Sequence, residues 1–298
     1  MAVMILDGGM GRELERSGAP FRQPEWSALA LIESPAHVRQ AHDAFARNGA
    51  EIITTNSYAV VPFHIGEERF ESDGLRLADL AGRLARESAD TFGAKVAGSL
   101  PPVLGSYRPD LFDAEKARPI LEVLLEGLSP HADLWLAETQ SSVAEVTLVR
   151  EMLADDPRPL WLSFTLDDHK AAAILAGEAR PVLRSGETVA DAARHAAALG
   201  ASALLFNCSQ PEVMEAAVRE ARKSLEGQPM AIGVYANAFA SEADDAAANE
   251  TLHGIRADLT PPLYLGWAQR WVDAGATMVG GCCGISPEHI GELARTLK

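Results

Sequence analysis

The chain has little positive charge: across 298 residues, 26 lysines and arginines stand against 42 aspartates and glutamates, a formal net charge of −16. A surface of that sign repels phosphate backbones and argues against nucleic acid as a partner. Long hydrophobic runs are also missing, although 47% of the residues are hydrophobic. No stretch approaches the roughly 20 apolar residues that a bilayer crossing needs, so a membrane-spanning helix is not expected. No basic region precedes the first apolar stretch, Met1–Asp7, so nothing there reads as a secretory signal. With an odd number of cysteines, the expected setting is the reducing cytoplasm, where the sequon Asn207-Cys208-Ser209 carries no glycan. A Gly-x-Gly-x-x-Gly turn is absent after the first apolar run; Gly8-Gly9-Met10-Gly11 lacks that spacing, which counts against an open dinucleotide-binding sheet. Finally, there are only three cysteines, with no fourth to close a structural zinc site.

What is present is an alternation of short apolar runs and longer amphipathic stretches. Eight runs read as strands: 3–6, 51–55, 95–98, 134–137, 160–164, 203–206, 230–234 and 277–279. Helix signals lie between them. Ser34-Pro35 offers an N-cap and a first-turn proline ahead of Val38, Ala41 and Phe45 at helical spacing. Ser142 and Glu145 have the capping-box pattern. Thr260-Pro261 and Ser286-Pro287 open two further helices, and the alanine-rich stretch 190–199 stops at Gly200. Eight strand–helix units in this order predict a parallel sheet, and eight is the number that closes a (β/α)8 TIM barrel of the α/β class. The whole chain, 1–298, is expected to be a single domain, with 236–258 a long loop after the seventh strand.

The three cysteines fall at two strand ends, in Asn207-Cys208-Ser209 and Gly280-Gly281-Cys282-Cys283-Gly284. Strand ends six and eight of a barrel open on one rim, which would bring Cys208 and Cys282 together across 74 residues of sequence (282 − 208). Three thiolates without a fourth protein ligand describe an open metal site, where water or substrate takes the last position. The competing reading is three inert buried thiols, for which adjacent cysteines in a glycine-rich turn are poor material. The same rim would collect Asp7-Gly8-Gly9, Thr55-Asn56-Ser57-Tyr58, Gly98-Ser99, Glu138-Thr139-Gln140, Ser163–Thr165 and Tyr235–Asn237. The eight histidines form no metal pattern, and His131 and His195 read as structural or solvated.

These motifs, taken together, resemble the homocysteine S-methyltransferase family, nearly end to end. The resemblance is carried by Leu6-Asp7-Gly8-Gly9-Met10-Gly11, the stretch 50–58, Ala97-Gly98-Ser99, Glu138-Thr139, Asn207-Cys208 and Gly280-Gly281-Cys282-Cys283-Gly284. The distant pairing of Asn-Cys with Gly-Gly-Cys-Cys is the specific part. The resemblance implies a (β/α)8 barrel, Zn2+ held by Cys208, Cys282 and Cys283, and transfer of a methyl group from a cationic donor to the thiol of homocysteine. It also implies that Glu138 holds the homocysteine ammonium, a role a rim carboxylate suits on charge alone, and that Asp7 lies near the substrate. Asp7 reads equally as the cap of a helix over 10–16. Amides of the Gly8-Gly9 turn are candidates for the substrate carboxylate. Trp26 and Tyr58 match donor-contacting aromatics of betaine-using relatives, where an aromatic face attracts a sulfonium or quaternary ammonium; each reads also as ordinary loop packing. Asn56, Thr55 and Ser99 could bond either substrate or satisfy the backbone.

The sequence departs from the family in a compact segment after Ser99, through Gly105-Ser106-Tyr107-Arg108, and in Ala236 where proline is common. Both border the mouth of the expected site. No cobalamin- or folate-binding module is expected beyond the barrel, so direct transfer between small molecules is the expectation. S-methylmethionine is the leading donor, with betaine or another sulfonium next. Methylation of another thiol or a selenol, and a catalytically idle zinc-binding barrel, are the alternatives. The donor, the physiological acceptor and the oligomeric state are not legible at this level.

Overall fold

The structure, a computed structural model, describes residues 2–239 and 254–298. All eight expected strands form: β1 (Met4–Ile5), β2 (Ile52–Thr54), β3 (Lys95–Leu100), β4 (Leu134–Gln140), β5 (Leu160–Phe164), β6 (Ala203–Asn207), β7 (Ala231–Tyr235) and β8 (Met278–Val279). They pair in parallel in the order β1-β8-β7-β6-β5-β4-β3-β2, so neighbours in the chain are neighbours in space. The ring is completed between β1 and β2 by a parallel bridge from Leu6 to Ile52 and by the Glu51 amide, which donates to the Ile5 carbonyl at 2.8 Å. The fold is the α/β TIM barrel that the strand count predicts.

Each strand alternates between two apolar environments, as a parallel strand covered on both faces must. Leu6, Ile52, Ala97, Leu134, Leu136, Trp161, Ala203, Leu205 and Met278 pack together inside the barrel. Their neighbours one residue along, including Ile5, Ile53, Val96, Trp135, Leu162, Leu204 and Val279, join the larger core beneath the surrounding helices. β5 and β6 are buried at every position, which is why they read as unbroken hydrophobic runs.

The helix signals are realised with one exception. Pro35 opens the helix Pro35–Arg47, but Ser34 makes no capping bond to it; its hydroxyl pairs instead with His37 Nδ1 at 2.7 Å. Ser142 and Glu145 form the full capping box of the helix Val143–Met152. Pro261–Ala274 and Pro287–Leu297 each start on their proline. Of the loop expected over 236–258, residues 240–253 lie outside the described residues. No helix among the described residues is long and apolar enough to cross a membrane.

Candidate active site

A cavity of about 190 Å³ opens among the C-terminal strand ends, where barrel enzymes carry their chemistry. Asp7, Gly8, Trp26, Asn56, Tyr58, Glu138, Cys208, Cys282 and Cys283 all line it. Ser99 does not: it is fully buried under Glu138, and its hydroxyl donates to Glu138 Oε2 at 2.6 Å.

The cysteines reach one point because two turns pack closely. After β8 the turn Gly280–Gly284 lies against the turn after β1, with the Gly281 amide donating to the Asp7 carbonyl at 3.0 Å and the Gly9 amide to the Ile285 carbonyl at 2.9 Å. A Cβ on Gly9 would strike the Cys282 carbonyl, and one on Gly281 would strike the Ile285 side chain. Only glycine permits this approach. The Gly9 amide is thereby occupied, so of the two turn amides expected to receive a substrate carboxylate only Gly8 remains a candidate.

Cys208 adopts the left-handed backbone region, φ +49°. Its carbonyl accepts from the Tyr107 hydroxyl at 3.1 Å and Thr165 Oγ1 at 3.4 Å. Asn207 ties this strand end to its neighbours. Its Oδ1 accepts from Ser163 Oγ at 2.7 Å and from the Thr139 amide at 3.2 Å, and its Nδ2 donates to Thr139 Oγ1 at 2.7 Å. Thr139 is itself at φ +58°. Two non-glycine residues held in a region that costs on the order of 1–3 kcal/mol each, beside Glu138 and at Cys208, mark this rim as built for position.

The sulfurs of Cys208, Cys282 and Cys283 lie within 4.8 Å of one another. Three thiolates sharing one metal ion were expected; the three sulfurs do converge, but Cys208 and Cys282 are joined as a disulfide across a Cα–Cα distance of 5.7 Å, and Cys283 alone is free. The correction has a geometric cause: side chains that converge well enough to share one ion also satisfy the spacing of a disulfide. Burial pushes the Cys283 thiol up to about 12, so a thiolate there requires a cation beside it. Once the pair is reduced, three sulfurs converging on one point suit a zinc ion bound by sulfur at about 2.3 Å. The donor set therefore fits that metal.

Two carboxylates share the cavity with no basic side chain bonded to them among the described residues. Asp7 does not cap the helix Met10–Arg16, whose N-cap is Gly9. It accepts from the Thr54 amide at 2.7 Å and Thr54 Oγ1 at 2.9 Å. Burial, reinforced by the Glu138 charge, pushes it up to about 7 against the pull of those bonds. Burial raises Glu138 as well, opposed by the Ser99 bond. The Tyr235 hydroxyl is buried beside Glu138 without a properly formed hydrogen bond.

The aromatic candidates line the cavity and are also packed or bonded within the protein. Trp26 lines the cavity yet is buried against Phe21, ring centroids 4.9 Å apart. Tyr58 lines it with its hydroxyl bonded to Ser106 Oγ at 2.7 Å. Asn56 Nδ2 donates to the Ser27 carbonyl at 3.1 Å, a backbone tie. His131 pairs with Asp79 and His195 with Thr147 Oγ1, each at 2.8 Å, away from the cavity.

Sequence reasoning missed one group of lining residues. Arg184 Nη2 donates to Asp168 Oδ1 at 2.8 Å, the Gln210 amide donates to Asp168 Oδ2 at 3.0 Å, and the Arg184 guanidinium lies over the Tyr107 ring at 4.6 Å. These residues stand on loops after β3, β5 and β6, where no spacing announces them. The acidic pair Asp167-Asp168, shortly after the buried strand β5, was the available signal.

The profile of one family, homocysteine S-methyltransferase, matches residues 4–297. The chain belongs to this family. It is similar to homocysteine S-methyltransferase 1 of Zea mays, 29% identical over 99% of this chain and 94% of that protein. It is 30% identical to homocysteine S-methyltransferase of Escherichia coli K12, over 98% and 94%. Among solved structures, the E. coli homocysteine methyltransferase MmuM in its metallated form superposes with a TM-score of 0.78 at 26% identity, covering 99% of this chain and 96% of that one. Its oxidized form gives 0.77. The family's fold is the barrel found here, and the methyltransferase class follows from membership.

Proposed function

We propose that this chain, acting as one homocysteine-binding domain over 1–298, transfers a methyl group from a cationic donor to the thiol of homocysteine and so makes methionine in the cytoplasm. S-methylmethionine is the donor we favour. The observation that carries the reading is the convergence of Cys208, Cys282 and Cys283 in one cavity with Asp7 and Glu138. Reduced, the three cysteines would hold Zn2+. When bound there, zinc lowers the pKa of a coordinating thiol and makes it a thiolate at neutral pH.

The chain's own residues supply binding and alignment. Glu138, positioned by the Ser99 hydroxyl, accepts the homocysteine ammonium, and Asp7 adds a second carboxylate on the same side. A buried carboxylate pair without a basic partner gains from receiving a cation. Trp26 and Tyr58 face the cavity with aromatic surface that suits a positively charged methyl donor. The homocysteine sulfur forms a bond to the methyl carbon as the donor's S–CH3 bond breaks, and the donor leaves as a neutral thioether. No protein side chain takes the methyl or need accept a proton in that step, so positioning is the protein's share.

The test is methionine formation from homocysteine and S-methylmethionine by reduced, zinc-loaded protein, with a chelated control. We expect turnover that the chelator abolishes. Product formed equally by chelated protein would overturn the metal assignment, and absence of product from fully loaded protein would overturn the donor or the acceptor.

A further inference from the structure

We propose that Arg184 and Asp168 recognise the amino-acid head of the methyl donor, Arg184 binding its carboxylate and Asp168 its ammonium. The donor is then an α-amino-acid sulfonium and not a betaine, whose quaternary ammonium has no N–H to donate to Asp168. This rests on the reading that a cationic donor shares the cavity with homocysteine.

Arg184 is the only arginine or lysine among the described residues that line the cavity. Its placement is fixed on two sides, by the bond to Asp168 at 2.8 Å and by the Tyr107 ring beneath it. Its donors are not used up: Nε is buried and has no hydrogen-bond partner. A guanidinium has five N–H groups in a planar fork that matches a carboxylate, and a buried donor left unpaired is costly enough to require an explanation. Nε has no open surface, so a carboxylate arriving from the cavity would meet the Nη edge of the guanidinium, where Nη2 bonds Asp168. Asp168 spends one bond on each oxygen, to Arg184 and to the Gln210 amide, and each oxygen can accept another. Arg184 and Asp168 side by side present adjacent charges of opposite sign, the complement of a zwitterionic head.

The location suits a second substrate. Gln210, which holds Asp168, is two residues beyond Cys208, and Tyr107, which carries Arg184, bonds the Cys208 carbonyl. The head group would therefore be anchored close to the sulfur site, while Asp7 and Glu138 remain for homocysteine.

The experiment is equilibrium binding of S-methylmethionine, and of its carboxamide with the carboxylate neutralised, to the full chain and its variants. Arg184→Met should weaken S-methylmethionine by about 10- to 100-fold. The carboxamide, already weak on the parent protein, should lose no more than about threefold, and homocysteine affinity should hold within the same limit. Arg184→Lys, which keeps the charge but not the fork, should fall between, and Asp168→Asn should weaken S-methylmethionine more than betaine. Equal losses for S-methylmethionine and its carboxamide on Arg184→Met would overturn the proposal. So would a loss confined to homocysteine, or no binding of S-methylmethionine by the parent protein. Methionine formation without this coupling leaves the proposed function standing and removes this inference; coupling without methionine does the reverse.

Discussion

Of the cavity's carboxylates, Asp7 and Glu138, the unpaired side, are held by hydroxyls and an amide alone, while Asp168, the paired side, has an arginine at 2.8 Å. The unpaired side pushes Asp7 up to about 7 and raises Glu138, both by burial first. Such a pair has an unmet need for positive charge, which a substrate ammonium can meet. The paired side has its charge balanced and offers a dipole. The lesson is that carboxylates in one cavity are distinguished by what already neutralises them, and that the unsatisfied ones identify the ligand's charge.

The heaviest blow to the comparison falls outside both sides, at the sulfurs between them. Cys283→Ala removes one of three converging ligands, and bound zinc and methyl transfer should disappear together, with turnover falling by more than about a thousandfold. Metal analysis and kinetics on the reduced protein check this. Full zinc content in the variant would show that the site uses another ligand.

Within the unpaired side, Asp7 offers a test by pH. A carboxyl held at about 7 in the fold and near 4 when unfolded favours the neutral form. Its stabilising effect is present below about pH 4 and is lost as the pH rises through 7. Asp7→Asn removes that loss. The metal-free, reduced variant should gain on the order of 2 kcal/mol relative to the parent between pH 5 and pH 8, read from urea midpoints. Glu145 provides the control. It too is pushed up to about 7 by burial, but it is bonded to the Ser141 and Ser142 amides in a capping box. Glu145→Gln should disturb the helix start and leave homocysteine binding alone. A raised carboxyl is thus no proof of a site unless its cavity can hold a ligand; the one beside Glu145 is about 10 Å³, hardly room for a water.

Glu138→Gln keeps shape and removes charge. Homocysteine affinity should weaken by about 10- to 100-fold, the worth of one charge-assisted bond, while donor affinity changes little. An equal loss for both substrates would erase the division into two sides.

How much of this was open to sequence reading follows from which interactions are local. The strands β5 and β6 announce themselves because burial on both faces demands unbroken apolar runs, and Ser142 with Glu145 because a capping box spans three residues. Cys208, Cys282 and Cys283 were legible once the barrel was assumed, since strand ends share a rim. That Asp7 bonds Thr54 and not a helix terminus depends on the closure of β1 against β2, 47 residues apart. Arg184 was invisible for the same reason: its value comes from Asp168 and Tyr107, brought to it by separate loops. The joining of Cys208 to Cys282 is a matter of oxidation state, which composition does not encode.

The smallest expected effect concerns the strained backbone beside Glu138. Thr139→Gly should relieve the left-handed conformation, a gain of about 1 kcal/mol. It also deprives Asn207 Nδ2 of its partner at 2.7 Å, a loss of about the same size. The net change in stability should stay within about 1 kcal/mol. Function should be more sensitive, because Asn207 links Thr139 and Ser163 to the strand that leads into Cys208. A severalfold rise in the KM for homocysteine with an unchanged thermal midpoint would mark Thr139 as a positioning residue for the unpaired side. A stabilised variant with unaltered KM would show instead that the strain serves no placement.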